Sequence, residues 1–256
     1  MNNYRSLAAL VCAAMLAGCG GNAVQDITGP LPSARIKFFN FGVNAPGVHF
    51  YANTAKMAAI SSATGVEAVT GTTSGGVASG GLYSGIAPGA YALTSKIAAV
   101  VDKDLTITTV NATIADGKFY SFYVSGLYDA VAKTAEGFVV EDPLPAAFDY
   151  SVAYVRFVNA IPNASPMTLY AKNTTTTTEV AVGAAVAYKG AGTFTSLPSG
   201  VYDLGTRLAG VATNTISRTA VSFNAGKVYT IGARGDITIT STTAATRPQL
   251  DNTANR

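Results

Sequence analysis

Ala34-Arg35-Ile36-Lys37-Phe38-Phe39-Asn40 decides the fold, because the chain writes this stretch twice. Ala153-Tyr154-Val155-Arg156-Phe157-Val158-Asn159 has the same layout. Ile36 and Phe38 share one face, as do Val155 and Phe157, which is the two-residue period of a β-strand. The register then continues without a gap. Asn44-Ala45 matches Asn163-Ala164, and Val48-His49-Phe50-Tyr51-Ala52 matches Met167-Thr168-Leu169-Tyr170-Ala171. Further on, Ala87-Pro88-Gly89-Ala90-Tyr91 matches Leu197-Pro198-Ser199-Gly200-Val201-Tyr202, and Asp116–Phe122 matches Ala225–Ile231. Motifs that recur in the same order define two copies of one unit, at 34–140 and 151–240.

Turn residues punctuate both copies: Ala87-Pro88-Gly89, Asp102-Lys103-Asp104, Asp116-Gly117, Pro198-Ser199-Gly200, Ala209-Gly210 and Ala225-Gly226. Short alternating strands at this spacing predict an antiparallel sandwich rather than parallel α/β units. The only helical expectation after Cys19 is one turn within Ala52–Ala59. In the Pro-Gly-x-Tyr element, Pro and Gly turn the chain into a strand. Tyr91 and Tyr202 are then expected to pack at the sandwich edge with the hydroxyl tied to backbone. Residues 141–150, with Pro143 and Pro145, read as a short stiff linker. Residues 241–256 read as a solvated, unstructured tail.

Composition agrees with this architecture. The chain has 256 residues, 48% of them hydrophobic and only 12% charged, so two domains can each bury a core. With 26 Gly, 13 Tyr and many Thr, it favours strand over helix. A formal net charge of +3 without a basic stripe argues against a nucleic-acid partner.

The start of the chain carries a second signal. Met1–Ser6 is polar with one cation, Arg5, and an apolar core of roughly 11 residues follows, within the range of a secretory signal. It is too short to cross a membrane, which takes about 20 residues. Leu16-Ala17-Gly18-Cys19 resembles the bacterial lipobox. That resemblance implies a signal peptide at 1–18, a diacylglycerol on the Cys19 thiol, an acylated (palmitate-type) amino terminus and a tether at 19–33. The absence of Asp after Cys19 implies sorting to the outer membrane. Which face of that membrane the protein occupies is left open. Cys12 leaves with the signal and Cys19 becomes the lipid site, so the mature fold is expected to contain no disulfide and no cysteine zinc site.

The repeat itself resembles the family named domain of unknown function 4397. The resemblance rests on Arg156-Phe157-Val158-Asn159-Ala160-Ile161-Pro162-Asn163-Ala164, Leu197–Tyr202 and Gly226–Tyr229. The first copy departs from the pattern, with Lys37 in place of the Arg and Phe41-Gly42-Val43 where the turn proline belongs. The resemblance implies tandem immunoglobulin- or transthyretin-like sandwiches in an exported protein. Its motif residues here are Asn40, Pro88, Gly89, Tyr91, Arg156, Asn159, Pro162, Pro198, Gly200 and Tyr202. It implies no catalytic residue and no cofactor.

The residues offer little chemistry. His49 is the only histidine. It falls on the strand face opposite Phe50 and is expected to face solvent. Asp102 and Asp104 fit a hairpin turn. Glu141, Asp142 and Asp149 lie in the linker, where a weak interdomain calcium site stays open, although calcium wants six to eight oxygen ligands. Gly71–Gly81 lacks the Gly-Lys-Ser/Thr ending of a phosphate loop and reads as a flexible loop. Thr174–Thr178 reads as a polar hairpin tip. The expectation is therefore a non-enzymatic envelope lipoprotein, held by lipid at Cys19 and presenting two sandwiches to a protein or glycan partner. A structural envelope or matrix role is the alternative, and an envelope hydrolase is a weaker third reading.

Overall fold

The computed structural model describes residues 32–58 and 69–256, and Pro32–Arg256 forms one compact unit. The signal, the lipobox and most of the tether lie outside the described residues.

The fold is all-β. The first half contains β1 (Ala34–Asn40), β2 (Val48–Ala52), β3 (Ala55–Ala58), β4 (Gly76–Val77), β5 (Ser84–Ile86), β6 (Gly89–Ile97), β7 (Thr106–Ile114), β8 (Phe119–Asp129) and β9 (Thr134–Glu141). The second contains β10 (Val152–Asn159), β11 (Met167–Asn173), β12 (Glu179–Val186), β13 (Gly190–Ala191), β14 (Thr195–Pro198), β15 (Gly200–Leu208), β16 (Ile216–Phe223), β17 (Val228–Arg234) and β18 (Gln249–Ala254). Each half makes two sheets. In the first half these run β4-β1-β8-β9, with β5 also on β1, and β3-β2-β6-β7. In the second they run β13-β10-β17-β18, with β14 also on β10, and β12-β11-β15-β16. The two strand orders are identical, strand for strand.

Alternation builds the cores. Ile36 and Phe38 of β1, Phe50 of β2, Leu93 of β6 and Phe122 of β8 meet between the first two sheets. Val155, Phe157, Leu169, Leu204, Phe223 and Ile231 do the same in the second half. Burying such a side chain contributes about 1.5–3 kcal/mol. One pairing in each half departs from the antiparallel expectation. β1 lies parallel to β8, with Phe38 opposite Phe122, and β10 lies parallel to β17, with Phe157 opposite Ile231.

The β1 and β10 sheets are covered on both faces. Phe39, Phe41, Tyr123 and Phe138, on the outer side of the first sandwich, pack with Val158 and Ala160 of the second. Phe39 stacks on Tyr123 at 4.4 Å between ring centres, and Tyr123 on Phe138 at 4.9 Å. Gly232 of β17 is needed here, since a Cβ would stand 2.8 Å from the Phe41 ring. The two sandwiches are thus stacked face to face as four layers.

Five expectations are corrected. Residues 241–256 are not a free tail, because β18 pairs with β17 from Tyr229–Ala254 to Arg234–Gln249 and buries Leu250 in the second core. Its ladder, not an apolar pattern, makes it a strand. The second sandwich therefore ends beyond residue 240. Residues 141–150 are not wholly linker, since β9 includes Glu141 and the Asp142 amide donates to the Phe119 carbonyl at 2.7 Å. Residues 55–58 form a strand rather than a helical turn, because β2 offers them an open edge. Gly71–Gly81 is pinned rather than loose: Thr72 exchanges backbone hydrogen bonds with Val48, and β4 pairs with the end of β1. Finally, His49 is only 3% exposed. Alternation places it opposite Phe50, but all five residues of β2 are buried, so that second face is covered as well.

Candidate functional site

The structure concentrates its charge chemistry between the sandwiches. Lys37 of β1 and Arg156 of β10 occupy the same position in the two copies, each pointing away from its own core. Both are almost fully buried, at 1% and 0% exposure. A charge in that setting needs partners, since unpaired burial costs several kcal/mol.

Arg156 has them. One amino group forms an ion pair with Asp142, the other donates to the Glu141 carbonyl at 2.9 Å, and Nε donates to the Thr230 hydroxyl at 3.0 Å. The guanidinium also lies 5.0 Å from the centre of the Phe194 ring. Asp142 accepts two further hydrogen bonds, from Tyr83 at 2.6 Å and Ser121 at 2.8 Å. Burial and the neighbouring Asp142 carboxylate push the Tyr83 phenol well above its usual range. One carboxylate from the end of the first sandwich thus neutralises an arginine on the face of β10 that points away from the second core.

Lys37 is held differently. Its Nζ donates to the Ala254 carbonyl and to Asn255 Oδ1, the latter at 3.1 Å, and lies 4.3 Å over the Tyr83 ring. Desolvation lowers its pKa to about 8, with Asp142 opposing that change and Arg156 adding to it.

The other motif residues serve the backbone. Asn40 Nδ2 donates to the Pro46 and Thr72 carbonyls at 2.9 and 2.8 Å, fixing the turn after β1. Asn159 Nδ2 donates to Val186 at 3.2 Å, while its Oδ1 accepts from Ile161 just before Pro162. Tyr202 donates to the Pro198 carbonyl at 2.7 Å, and Tyr91 to the Ala87 carbonyl at 3.0 Å, closing the Pro88-Gly89 and Pro198–Gly200 turns. At Gly200 a Cβ would meet Asn173 Nδ2 at 2.9 Å. Leu16, Ala17, Gly18 and Cys19 lie outside the described residues.

The linker acids do not converge on a cation. Glu141 pairs with Lys118 at 2.9 Å, Asp142 with Arg156, and Asp149 accepts from Ser151. Among the described residues, no group of three His, Cys, Asp or Glu is placed to hold a metal ion. Asp102 pairs with Lys133 and takes positive φ in the β6–β7 turn, as does Asp104.

A groove of about 420 Å³ opens beside β14, between Val180, Leu197, Pro198 and Tyr202 on one hand and Asn173, Thr176 and Thr178 on the other. Its walls are apolar carbon, hydroxyl and carboxamide, with no carboxylate, amine or imidazole. Such a surface suits binding rather than proton transfer.

The motif reading named Arg156, as a residue of the repeat pattern and not of a charge cluster. It gave Asp142 another role, as a linker acid open to calcium, and missed Tyr83, Ser121, Thr230 and Asn255, which complete the cluster with Lys37. The available signal was Lys37 and Arg156 themselves, cations set at one position within two apolar strands, where burial demands a polar partner.

Comparison with known families places residues 153–255 in a domain of unknown function, DUF4397. That span runs from β10 to the residue after β18. No curated protein matches the chain.

Proposed function

We propose that the chain is a lipid-anchored protein of the bacterial outer membrane, built from two tandem DUF4397-type sandwiches that it presents as one rigid body for non-enzymatic binding of an envelope protein or glycan. The observation that carries the reading is the face-to-face lock of two sandwiches with identical strand order, through a buried Arg156–Asp142 pair. That lock suppresses hinge motion between the halves and leaves strand ends, hairpins, the β14 groove and the exposed residues of β7, β12 and β16 on the outer sheets as free surfaces. A tandem repeat supports the reading because the first half reproduces every strand of the half that matches the family profile. The anchor rests on Leu16-Ala17-Gly18-Cys19. Lipidation by more than one chain gives durable membrane attachment.

The test combines labelling with binding. Cells fed labelled palmitate should label the natural chain and not the Cys19→Ser variant. The chain from Gly20 onward should bind isolated outer membranes saturably and turn over no substrate in a hydrolase panel. An unlabelled natural chain would remove the anchor, non-saturable binding would remove the adhesive role, and turnover would make the protein an enzyme.

A further inference from the structure

Lys37 and Asn255 are separated by 218 positions, yet they meet in the closed cluster between the sandwiches. Lys37 belongs to the first strand, and Asn255 follows the last. The carboxamide of Asn255 is held at both ends. Its Nδ2 donates to the Thr230 hydroxyl at 2.7 Å, and its Oδ1 accepts from Lys37 Nζ at 3.1 Å. Its own backbone amide donates to Val228 at 2.7 Å, which fixes the residue against β17. Asn255 is 8% exposed and Lys37 1%.

The charge count of this cluster is unbalanced. Two cations, Lys37 and Arg156, share one carboxylate, Asp142, and Arg156 takes the ion pair. A protonated Lys37 is therefore the costly member. Its partners are a carbonyl, a carboxamide and the face of the Tyr83 ring, and burial lowers its pKa to about 8. A desolvated lysine with a lowered pKa is the usual form of a nucleophilic amine. Lys37 Nζ is within hydrogen-bond distance of Oδ1 on the Asn255 carboxamide, and such proximity converts a slow intermolecular aminolysis into an intramolecular one, where effective molarities reach about 10⁵–10⁸ M in well-oriented cases.

We propose that Lys37 and Asn255 form an intramolecular isopeptide bond, which staples the first strand of the first sandwich to the end of the second. The Nζ lone pair attacks Asn255 Cγ, and the Cγ–Nδ2 bond breaks. One Nζ hydrogen passes to the departing nitrogen. A free amine and a primary carboxamide become a secondary amide and ammonia, with no change of oxidation state and no co-reactant. The product carries no charge at Nζ, so the reaction removes the cluster's cation that lacks an ion-pair partner. Thr230 is the positioning residue, because it holds the Nδ2 end of the carboxamide and so turns the carbonyl end to Lys37.

The experiment is a tryptic peptide map of the full natural chain, denatured after purification in its folded state. The bond blocks cleavage after Lys37, and Arg247 is followed by Pro248, so the expected product is Ile36–Lys56 joined to Gly235–Arg256. Its mass is the sum of the two peptides less one ammonia. The joined species should vanish in Lys37→Met and in Asn255→Ala, with free Phe38–Lys56 appearing in the second. Quantitative release of Phe38–Lys56 from the natural chain would overturn the proposal. So would loss of ammonia confined to the Gly235–Arg256 peptide, which marks a succinimide at Asn255. The natural chain alone decides the matter if either variant fails to fold.

Discussion

Replacing Asp142 with Ala should be the most damaging single change in the interface. Three groups lose their partner together: the fully buried Arg156 guanidinium and the Tyr83 and Ser121 hydroxyls. Leaving one member of a buried ion pair uncompensated costs about 3–5 kcal/mol. An unsatisfied hydroxyl adds about 1 kcal/mol, less where water reaches it as at half-buried Tyr83. The expected loss is therefore about 4–6 kcal/mol, a large share of the roughly 5–15 kcal/mol that holds an ordinary domain. Urea unfolding followed by far-UV circular dichroism and tyrosine emission reads it, since the chain has no Trp. With an m-value of about 2–3 kcal/mol/M, the midpoint should fall by about 2 M. The double variant Asp142→Leu with Arg156→Met removes both charges and should recover most of that fall, because well-packed apolar replacements of buried pairs are near neutral. A midpoint that barely moves in Asp142→Ala, or a double variant as unstable as the single one, would refute the argument that pairing rather than packing sets this cost.

Three further outcomes follow from the geometry. Tyr202→Phe removes the bond to the Pro198 carbonyl and should cost about 1 kcal/mol in a thermal melt; Tyr91→Phe, whose longer bond is exposed, should cost less. Gly137→Ala puts a Cβ 2.5 Å from Thr108 Cγ2 and 3.0 Å from the Tyr123 carbonyl oxygen, so overpacking should cost about 1–3 kcal/mol, and an unchanged melting temperature would show that β9 can slide away from β7. Lys37 as a free amine titrates near 8 in the folded chain and near its ordinary 10.5 when unfolded. The unfolded chain then binds the extra proton between those values, and stability should rise with pH across that window by at most about 3 kcal/mol. The Asn255→Ala chain should show this rise in denaturation measured from pH 8 to 10, and a stapled natural chain should lack it.

The period of two made the cores legible. Ile36, Phe38, Val155 and Phe157 identify their inward faces without any knowledge of pairing. What alternation does not encode is how many faces are covered. In Ile36-Lys37-Phe38-Phe39-Asn40-Phe41 apolar residues occur in both phases, and the second phase, Phe39 and Phe41, packs on the other sandwich. His49 was misplaced for the same reason. β18 escaped because Gln249-Leu250-Asp251-Asn252-Thr253-Ala254 carries one large apolar side chain, and its strand state comes from the β17 ladder. Asn255 was illegible as a site residue, and Asp142 was legible only as a linker acid, because their partners lie 218 and 14 positions away, a relation that no local spacing records.

The parallel pairing of β1 with β8, and the arrival of Asn255 beside Lys37, have a consequence in time. A strand that must lie parallel to its neighbour cannot close through a hairpin, and contacts of such large sequence separation form slowly. During synthesis the first strand emerges early, but its lysine gains the Ala254 and Asn255 partners only when those residues have been made. The aromatic outer face of the first sandwich gains its cover sooner, when Val158 and Ala160 arrive. The interval between Lys37 and Asn255 therefore sets the earliest time at which this cluster can close, and it lengthens with every slowing of synthesis.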